Sequence, residues 1–113
     1  MPPTRLPDLD PAEAAALLDR GEAFLLDVRE ADEWASGHAP QAEHLPLAQV
    51  HAGAVPSDRP IVAVCRSGNR SGKAADVLAA AGIRVHNLAG GMRAWAAAGR
   101  PVVTDDGEPG VVA

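Results

Sequence analysis

The sequence predicts an α/β protein, a three-layer sandwich in which a parallel sheet of four or five strands has helices on both faces. Two observations lead to this fold class. Short apolar runs alternate along the chain with segments of helical periodicity. The run 61–64 is β-branched and contains no polar residue, as is typical of a strand buried on both faces of a parallel sheet. A functional site is expected where such strands end at their carboxyl termini.

One domain is expected, because 113 residues suffice for one modest hydrophobic core. We place this domain at residues 9–103. The preceding residues, 1–8, are rich in proline and are predicted to form an extended segment that ends as a short edge strand. Residues 104–113 combine acidic side chains with glycine and proline, which favours a mobile acidic tail.

The first helix is predicted to begin after Asp10. Asp10 is an acidic N-cap, Pro11 occupies the first helical position, and Glu13 is placed to reach back to the N-cap backbone. Gly21 is expected to end this helix.

The next segments alternate between strand and helix. A strand over residues 23–26 places Asp27 at its carboxyl end, and residues 30–36 are predicted to form a short helix. Residues 43–47 indicate a brief strand. Residues 48–54 favour a weak helix, since a histidine and a glycine interrupt the pattern.

The second half of the chain repeats this alternation. The strand 61–64 leads through a polar loop to a helix over residues 73–81, which has one apolar face. Residues 85–88 predict another strand. The last helix, over residues 92–98, is expected to bury Trp95 in the core.

The chain's only cysteine, Cys65, follows the strand 61–64 directly, and a loop connects it to the next helix. A thiolate in such a loop is stabilised by backbone N–H groups, by the positive end of the helix dipole, and here by the guanidinium groups of Arg66 and Arg70. All three lower the pKa of a thiol. Gly68 allows the backbone to turn, and Ser71 is predicted to cap the helix or to donate a hydrogen bond to the anion.

A lone cysteine is most often a small buried hydrophobe. That role does not require five polar or glycine residues between the cysteine and a helix, two of them arginine. We therefore interpret Cys65 as a reactive nucleophile.

Composition limits the class of partner. The net charge of −5 and the pI of about 5.2 argue against nucleic acid and against an anionic membrane surface. One cysteine cannot form an internal disulfide, the amino terminus lacks the apolar core of a signal peptide, and no apolar run reaches membrane-spanning length. We therefore expect a protein of the cytoplasm. No metal or cofactor is indicated, because the four histidines follow no tight ligand spacing.

Three segments carry a resemblance to a known family: the loop after Cys65, residues 26–30 (LDVRE) and residues 90–95 (GGMRAW). With them, the chain resembles a single-domain rhodanese, a sulfurtransferase, from about residue 9 to about residue 103. The resemblance implies a rhodanese-like sandwich and an enzyme that takes a sulfane sulfur from a donor such as thiosulfate. The sulfur would be held as a cysteine persulfide and passed to a thiophilic acceptor, either cyanide or a thiol. A sulfur-accepting protein is a further candidate partner.

The resemblance also implies residue roles. Cys65 would be the catalytic residue. Asp27 and Arg29 would lie beneath or beside the loop and orient it, the alternative being a purely structural tie at the end of a strand. The residues that would surround the outer sulfur and bind substrate are Arg66, Ser67, Gly68, Asn69, Arg70 and Ser71.

Two further positions stay open at this point. Residues 37–42 resemble the family's Gly-His-Ile-Pro-Gly-Ala segment, so His38 is interpreted as a hydrogen-bonded tie in a turn, with a catalytic contact as the alternative. Arg93 begins the last helix near the expected substrate mouth. The donor is open as well, because Ser67 stands where thiosulfate sulfurtransferases of two domains have a second basic residue.

Two other classes of function use similar features. Cysteine phosphatases and arsenate reductases also place a cysteine, a loop and an arginine before a helix. The loop of a cysteine phosphatase has five residues between cysteine and arginine, whereas four separate Cys65 from Arg70, and the smaller ring suits a single sulfur atom. A catalytically silent binding module is the third class, and the presence of Cys65 and both arginines argues against it.

Overall fold

The computed structural model describes residues 4–113 and shows, within that range, four strands and four α-helices that follow each other along the chain. In chain order they are α1 (Pro11–Asp19), β1 (Phe24–Asp27), α2 (Ala31–Ser36), β2 (Glu43–His44), β3 (Ile61–Val64), α3 (Asn69–Ala80), β4 (Val85–Asn87) and α4 (Gly91–Ala97). The strands form one parallel sheet in the order β2-β1-β3-β4. The predicted α/β fold with a parallel sheet is therefore confirmed.

The segment before α1 runs beside β4 and extends the four-stranded sheet at that edge, without forming a regular strand. The Leu6 N–H donates to the Val85 carbonyl at 2.9 Å, and the Leu9 N–H donates to the Asn87 carbonyl at 3.0 Å. An isolated parallel bridge also joins Arg5 to Val85. This pairing matches the predicted edge strand, although the first three residues of the predicted 1–8 segment lie outside the described part of the chain.

Strand β3 is an interior strand, and its side chains alternate between two hydrophobic cores. Val62 and Val64 face α1 and α4, whereas Ile61 and Ala63 face α3. Trp95 is fully buried in the first core, as predicted. The first core contains Leu9, Ala14, Ala15, Ala23, Leu25, Ala39, Val62, Val64, Leu88, Met92 and Trp95. The second contains Leu26, Val28, Ile61, Ala63, Cys65, Ala74, Ala75, Leu78 and Val85.

The first helix begins as predicted. The Asp10 side chain accepts from the Glu13 N–H at 2.8 Å, and the Glu13 side chain accepts from the Asp10 N–H at 3.0 Å. These reciprocal bonds form a complete capping box, with Pro11 at the first position.

Two predicted helices differ from the structure. Helix α3 begins at Asn69 rather than at residue 73, because Gly68 adopts a left-handed conformation (φ 108°) and ends the loop early. Ser71 thus lies inside the first turn and does not cap the helix. Residues 48–54 form two short 3₁₀ turns, Leu47–Gln49 and Ala52–Ala54, because the backbone at His51 is extended and separates them.

The tail 104–113, predicted to be mobile, makes specific contacts in the structure. The Trp34 indole N–H donates to Asp105 Oδ1 at 3.2 Å, and His38 Nε2 lies 3.0 Å from the same oxygen. The Val111 N–H donates to the Ser36 carbonyl at 3.0 Å. These bonds attach the tail to α2, and they confirm His38 as a hydrogen-bonded tie.

Between residues 4 and 113 the structure contains no helix with the length and hydrophobicity that crossing a bilayer would require.

Candidate active site

Cys65 lies at the carboxyl end of β3, where the sheet register places it just beyond the pair formed by Asp27 and Val64. Its side chain points toward α3, and only 1% of the residue is exposed. Residues 66–68 form the turn that separates Cys65 from the first turn of α3. We call residues 66–71, which are this turn and the first three residues of α3, the Cys65 loop. The predicted strand, loop and helix are thus confirmed in that order.

Two donors converge on the sulfur atom. The Gly68 N–H lies 3.1 Å from Cys65 Sγ, and the Ser71 hydroxyl oxygen lies 3.2 Å from it. Burial raises the pKa of the Cys65 thiol, but hydrogen bonds from the Ser71 hydroxyl and from backbone N–H groups of Ser71, Gly68 and Ser67 outweigh it, so that this pKa is lowered. The site therefore favours a thiolate at Cys65.

The amino terminus of α4 holds the start of the Cys65 loop in place. The Met92 N–H donates to the Cys65 carbonyl at 2.7 Å, and the Arg93 N–H donates to the Arg66 carbonyl at 3.1 Å. Gly91 permits this approach, because a Cβ there would lie 2.5 Å from both carbonyl oxygens, and its φ is +60°. The glycine pair at the start of α4 thus serves the site as well as the helix.

Asn87 is a site residue that sequence reasoning missed. Its amide oxygen accepts from the Ser71 hydroxyl at 2.6 Å, and its amide nitrogen donates to the Gly68 carbonyl at 3.1 Å. The available signal is a polar residue at the carboxyl end of a strand that neighbours the cysteine strand. The sequence pattern by itself marks this residue only as part of the last strand.

Arg70, predicted to bind substrate, is held by a partner from another helix. Its two terminal nitrogens donate to the two carboxylate oxygens of Glu33 in α2, at 2.6 and 2.8 Å. This pair lowers the pKa of Glu33 to about 2 and raises that of Arg70. The Cys65 charge also contributes to the raised pKa of Arg70, so the guanidinium acts on the sulfur through its field.

The other predicted loop residues are at the surface. The side chains of Arg66, Ser67 and Asn69 lie toward solvent. Within residues 4–113, no hydrogen bond or ion pair involves the Arg66 guanidinium. Arg66 and the exposed Arg93 thus carry positive charge on the solvent side of the loop.

Asp27 and Arg29 form a fully buried ion pair beside the site. Arg29 Nη2 donates to Asp27 Oδ2 at 2.8 Å and to the Gly37 carbonyl at 2.8 Å. His44 Nε2 lies 2.7 Å from the Arg29 carbonyl. Among the described residues, no hydrogen bond joins either side chain to the Cys65 loop. The pair joins β1 to Gly37 after α2, and the backbone of Arg29 contacts His44 in β2. The charge of Arg29 also helps to lower the pKa of Glu33.

The Glu33–Arg70 pair gives a prediction of pH dependence. Because the pKa of folded Glu33 is lowered from 4.5 to about 2, its charge contributes stability above pH 4.5, and this contribution is lost as the pH falls toward 2. We expect Glu33→Gln to reduce the free energy of unfolding by about 0.5–1 kcal/mol at pH 7, since both partners are near the surface. Urea unfolding at a series of pH values measures the difference. A difference that does not shrink below pH 4.5 would contradict this assignment.

These features define a class of protein: an α/β sandwich in which a cysteine follows an interior parallel strand and is enclosed by donors of a short loop before a helix. The sequence profile of the rhodanese-like domain matches residues 10–98. The chain therefore belongs to the rhodanese-like family, as the sequence motifs predicted.

Individual relatives agree with this assignment. The chain is 42% identical to a protein of Allochromatium vinosum named sulfurtransferase, over 80% of this chain and 88% of that protein. It is 38% identical to the thiosulfate sulfurtransferase GlpE of Pseudomonas savastanoi pv. phaseolicola, over 83% of this chain and 91% of that protein. A rhodanese-related protein of Thermoplasma volcanium has the same fold, with a TM-score of 0.81 at 24% identity over 88% of this chain and 100% of that one.

Proposed function

We propose that this protein is a sulfurtransferase that carries a sulfane sulfur as a persulfide on Cys65. The observation that carries the proposal is the convergence of the Gly68 N–H and the Ser71 hydroxyl on the sulfur of the chain's only cysteine. The sulfurtransferase names of the relatives support the same class of reaction. A reducing compartment such as the cytoplasm suits this chemistry, because Cys65 must be reduced to accept sulfur.

The reaction has two displacement steps. In the first, the Cys65 thiolate attacks the outer sulfur of a donor such as thiosulfate, a sulfur–sulfur bond forms, and the donor's own sulfur–sulfur bond breaks. Sulfite leaves with the electron pair, and the new outer sulfur of the persulfide carries negative charge. In the second, cyanide or a thiolate attacks that outer sulfur, and Cys65 leaves as a thiolate. Thiocyanate or a new persulfide is the product, and no external oxidant is needed.

The Cys65 loop supplies stabilisation for both anions. The Gly68 N–H already points at Sγ and needs no reorganisation when charge develops there, and the Ser71 hydroxyl lies within hydrogen-bonding distance of it. The amino terminus of α3 directs its positive dipole toward the same place. Arg70 adds positive charge and is held in position by Glu33. We propose that Arg70 stabilises the anions without contacting the donor directly.

Arg66 is the proposed contact for an anionic donor, because this residue is exposed and follows Cys65 directly in the chain. We expect Arg66→Ala to raise KM for thiosulfate about five- to twentyfold, to leave kcat nearly unchanged, and to change stability little. Steady-state kinetics at fixed ionic strength measures the effect. Arg20→Ala is the matched control, because Arg20 pairs with Glu22 before the amino-terminal end of β1, whereas Cys65 follows the carboxyl end of β3. An unchanged KM in Arg66→Ala would remove Arg66 from the donor site.

Phosphatase and arsenate-reductase chemistry is less compatible with this site. Such a reaction would need the loop arginine to bind the transferred oxyanion, but the Arg70 guanidinium already binds both oxygens of Glu33. Four residues between Cys65 and Arg70 also make a smaller loop than phosphatases use.

Mass spectrometry of the intact protein tests the proposed function. The protein is incubated separately with thiosulfate, mercaptopyruvate and glutathione persulfide, and p-nitrophenyl phosphate hydrolysis is assayed alongside. We expect one added sulfur atom on Cys65 with at least one donor, removed again by cyanide or a thiol, and no phosphatase turnover. If no donor adds sulfur, or if phosphate ester hydrolysis depends on Cys65, the proposal is wrong.

A further inference from the structure

The side chain of Asn87 joins the two groups that donate to the active-site sulfur. It accepts from the Ser71 hydroxyl at 2.6 Å and donates to the Gly68 carbonyl at 3.1 Å. Within residues 4–113 its side chain makes no other hydrogen bond, and the residue is only 7% exposed. Both hydrogen bonds of the Asn87 side chain are thus made to Ser71 and Gly68.

The orientation of the amide follows from its partners. The Gly68 carbonyl can only accept, so the amide nitrogen must face it, and the amide oxygen must then face Ser71. A separation of 2.6 Å between two oxygens requires the hydroxyl proton of Ser71 between them. The resting position of that proton is therefore toward Asn87.

Ser71 has one hydroxyl proton but two neighbours that can accept it. Its oxygen also lies 3.2 Å from Cys65 Sγ, so the oxygen offers a lone pair to a neutral thiol while its proton faces Asn87. When the sulfur is ionised, the proton is shared between Sγ and Asn87 Oδ1 in a three-centre hydrogen bond, since the two oxygens would repel each other at 2.6 Å with no proton between them. Asn87 thus keeps the Ser71 hydroxyl within reach of Sγ in both states.

The second contact of the Asn87 side chain is to the Gly68 carbonyl. Gly68 has a left-handed backbone conformation (φ 108°), and its N–H lies 3.1 Å from Cys65 Sγ. The bond from Asn87 to the Gly68 carbonyl resists rotation of the residue away from this geometry. The Gly68 carbonyl also accepts from the Gly72 N–H of α3 at 3.0 Å. Both donors to the sulfur are thus braced by one side chain from the neighbouring strand β4.

We propose that Asn87 is a positioning residue that holds the Ser71 hydroxyl and the Gly68 N–H within hydrogen-bonding distance of the Cys65 sulfur. The inference deepens the proposed function and rests on it, because sulfur transfer requires an ionised cysteine. Asn87 itself does not touch the substrate.

The pH dependence of Cys65 alkylation by iodoacetamide tests the proposal, because the chain has one cysteine. We expect Asn87→Ala to move the midpoint of the pH profile upward and to slow alkylation at pH 7 about three- to tenfold. Asn87→Asp keeps the shape and an acceptor oxygen but places negative charge beside the sulfur, so its effect should be at least as large. His86→Ala is the matched control on the same strand, since His86 bonds to the Pro7 carbonyl instead, and its profile should match the wild type.

A double-mutant cycle with Ser71→Ala separates positioning from general destabilisation. We expect Asn87→Ala to slow alkylation less in the Ser71→Ala background than in the wild type, because one of its two targets is already missing. Circular dichroism checks the fold of every variant. If Asn87→Ala does not fold, the pH profile of Asn87→Asp is the deciding measurement. An unchanged or lowered midpoint, or an effect of full size in the Ser71→Ala background, would overturn the proposal.

The outcome is distinguishable from that of the proposed function, because alkylation needs no sulfur donor. A protein that shows these changes in pH profile but takes up no sulfur would retain the role of Asn87 and lose the sulfurtransferase assignment. Sulfur uptake with an unchanged profile in Asn87→Ala and Asn87→Asp would retain the sulfurtransferase assignment and remove the role of Asn87.

Discussion

Replacing Cys65 with serine is expected to abolish sulfur transfer from thiosulfate to cyanide, by a factor on the order of a thousand or more, while leaving the fold intact. The hydroxyl of serine is scarcely ionised at neutral pH and does not form the persulfide. Serine fits the space that Cys65 occupies and can accept from the same Gly68 N–H, so the buried site remains satisfied. Thiocyanate formation measures the activity, and thermal unfolding measures the fold.

The result is specific only if the loss does not reflect unfolding. Ser36→Ala is a suitable control, since the Ser36 hydroxyl donates only to the Asp32 carbonyl within α2. Its activity should equal that of the wild type. Turnover at wild-type rate in Cys65→Ser would exclude the persulfide mechanism altogether.

Replacing Arg29 with methionine is expected to cost about 3–5 kcal/mol of stability, because it leaves the Asp27 carboxylate buried without its partner. Both side chains have no exposed surface, and Arg29 donates to both carboxylate oxygens of Asp27 and to the Gly37 carbonyl. For a domain whose total stability is about 5–15 kcal/mol, this loss is a large fraction. Guanidinium unfolding followed by circular dichroism measures it.

The double variant Asp27→Leu with Arg29→Met provides the internal control. Removing both charges eliminates the unpaired carboxylate, so much of the lost stability should return. If Arg29→Met alone costs less than about 1 kcal/mol, the pair is not the structural tie that its burial implies. If the double variant folds well but sulfur transfer is lost, the pair also orients the loop, which is the role that the family resemblance implies.

Much of the fold is predictable because local and global preferences agree. The capping box at Asp10 and the fully apolar run 61–64 each admit one interpretation, and the structure has both. The sequence pattern places the beginning of α3 too late, because Asn69 and Arg70 are polar and typical of a loop. Their backbone is helical, since the left-handed Gly68 turns the chain before them.

Contacts in the site between residues that are close in sequence are predictable, whereas contacts between different strands and helices are not. Cys65, Gly68 and Ser71 are close in sequence, and the convergence of Gly68 and Ser71 on the sulfur follows from a loop that enters a helix. Asn87 and Glu33 come from other elements, and nothing in their local sequence shows which arginine or hydroxyl they will meet. Those contacts depend on the sheet order and on the position of α2, which are tertiary properties.

The contacts of the tail are also unpredictable from composition. An acidic segment rich in glycine and proline is typical of mobile chain. Here Asp105 is bonded to Trp34 and lies beside His38, both of which come from a distant segment. This carboxylate, together with the bond from the Val111 N–H to the Ser36 carbonyl, attaches a segment whose composition does not predict an attachment.

Donors of the Cys65 loop lower the pKa of the Cys65 thiol, and titration of the thiolate ultraviolet absorbance measures this directly. The chain has one cysteine and no tyrosine, so with Cys65→Ser as the blank the signal reports Cys65 alone. We predict a midpoint below the pKa of about 8.5 of an ordinary cysteine, moved upward in Ser71→Ala. A midpoint at or above that of an ordinary cysteine in the wild-type protein would show that these donors do not stabilise the thiolate.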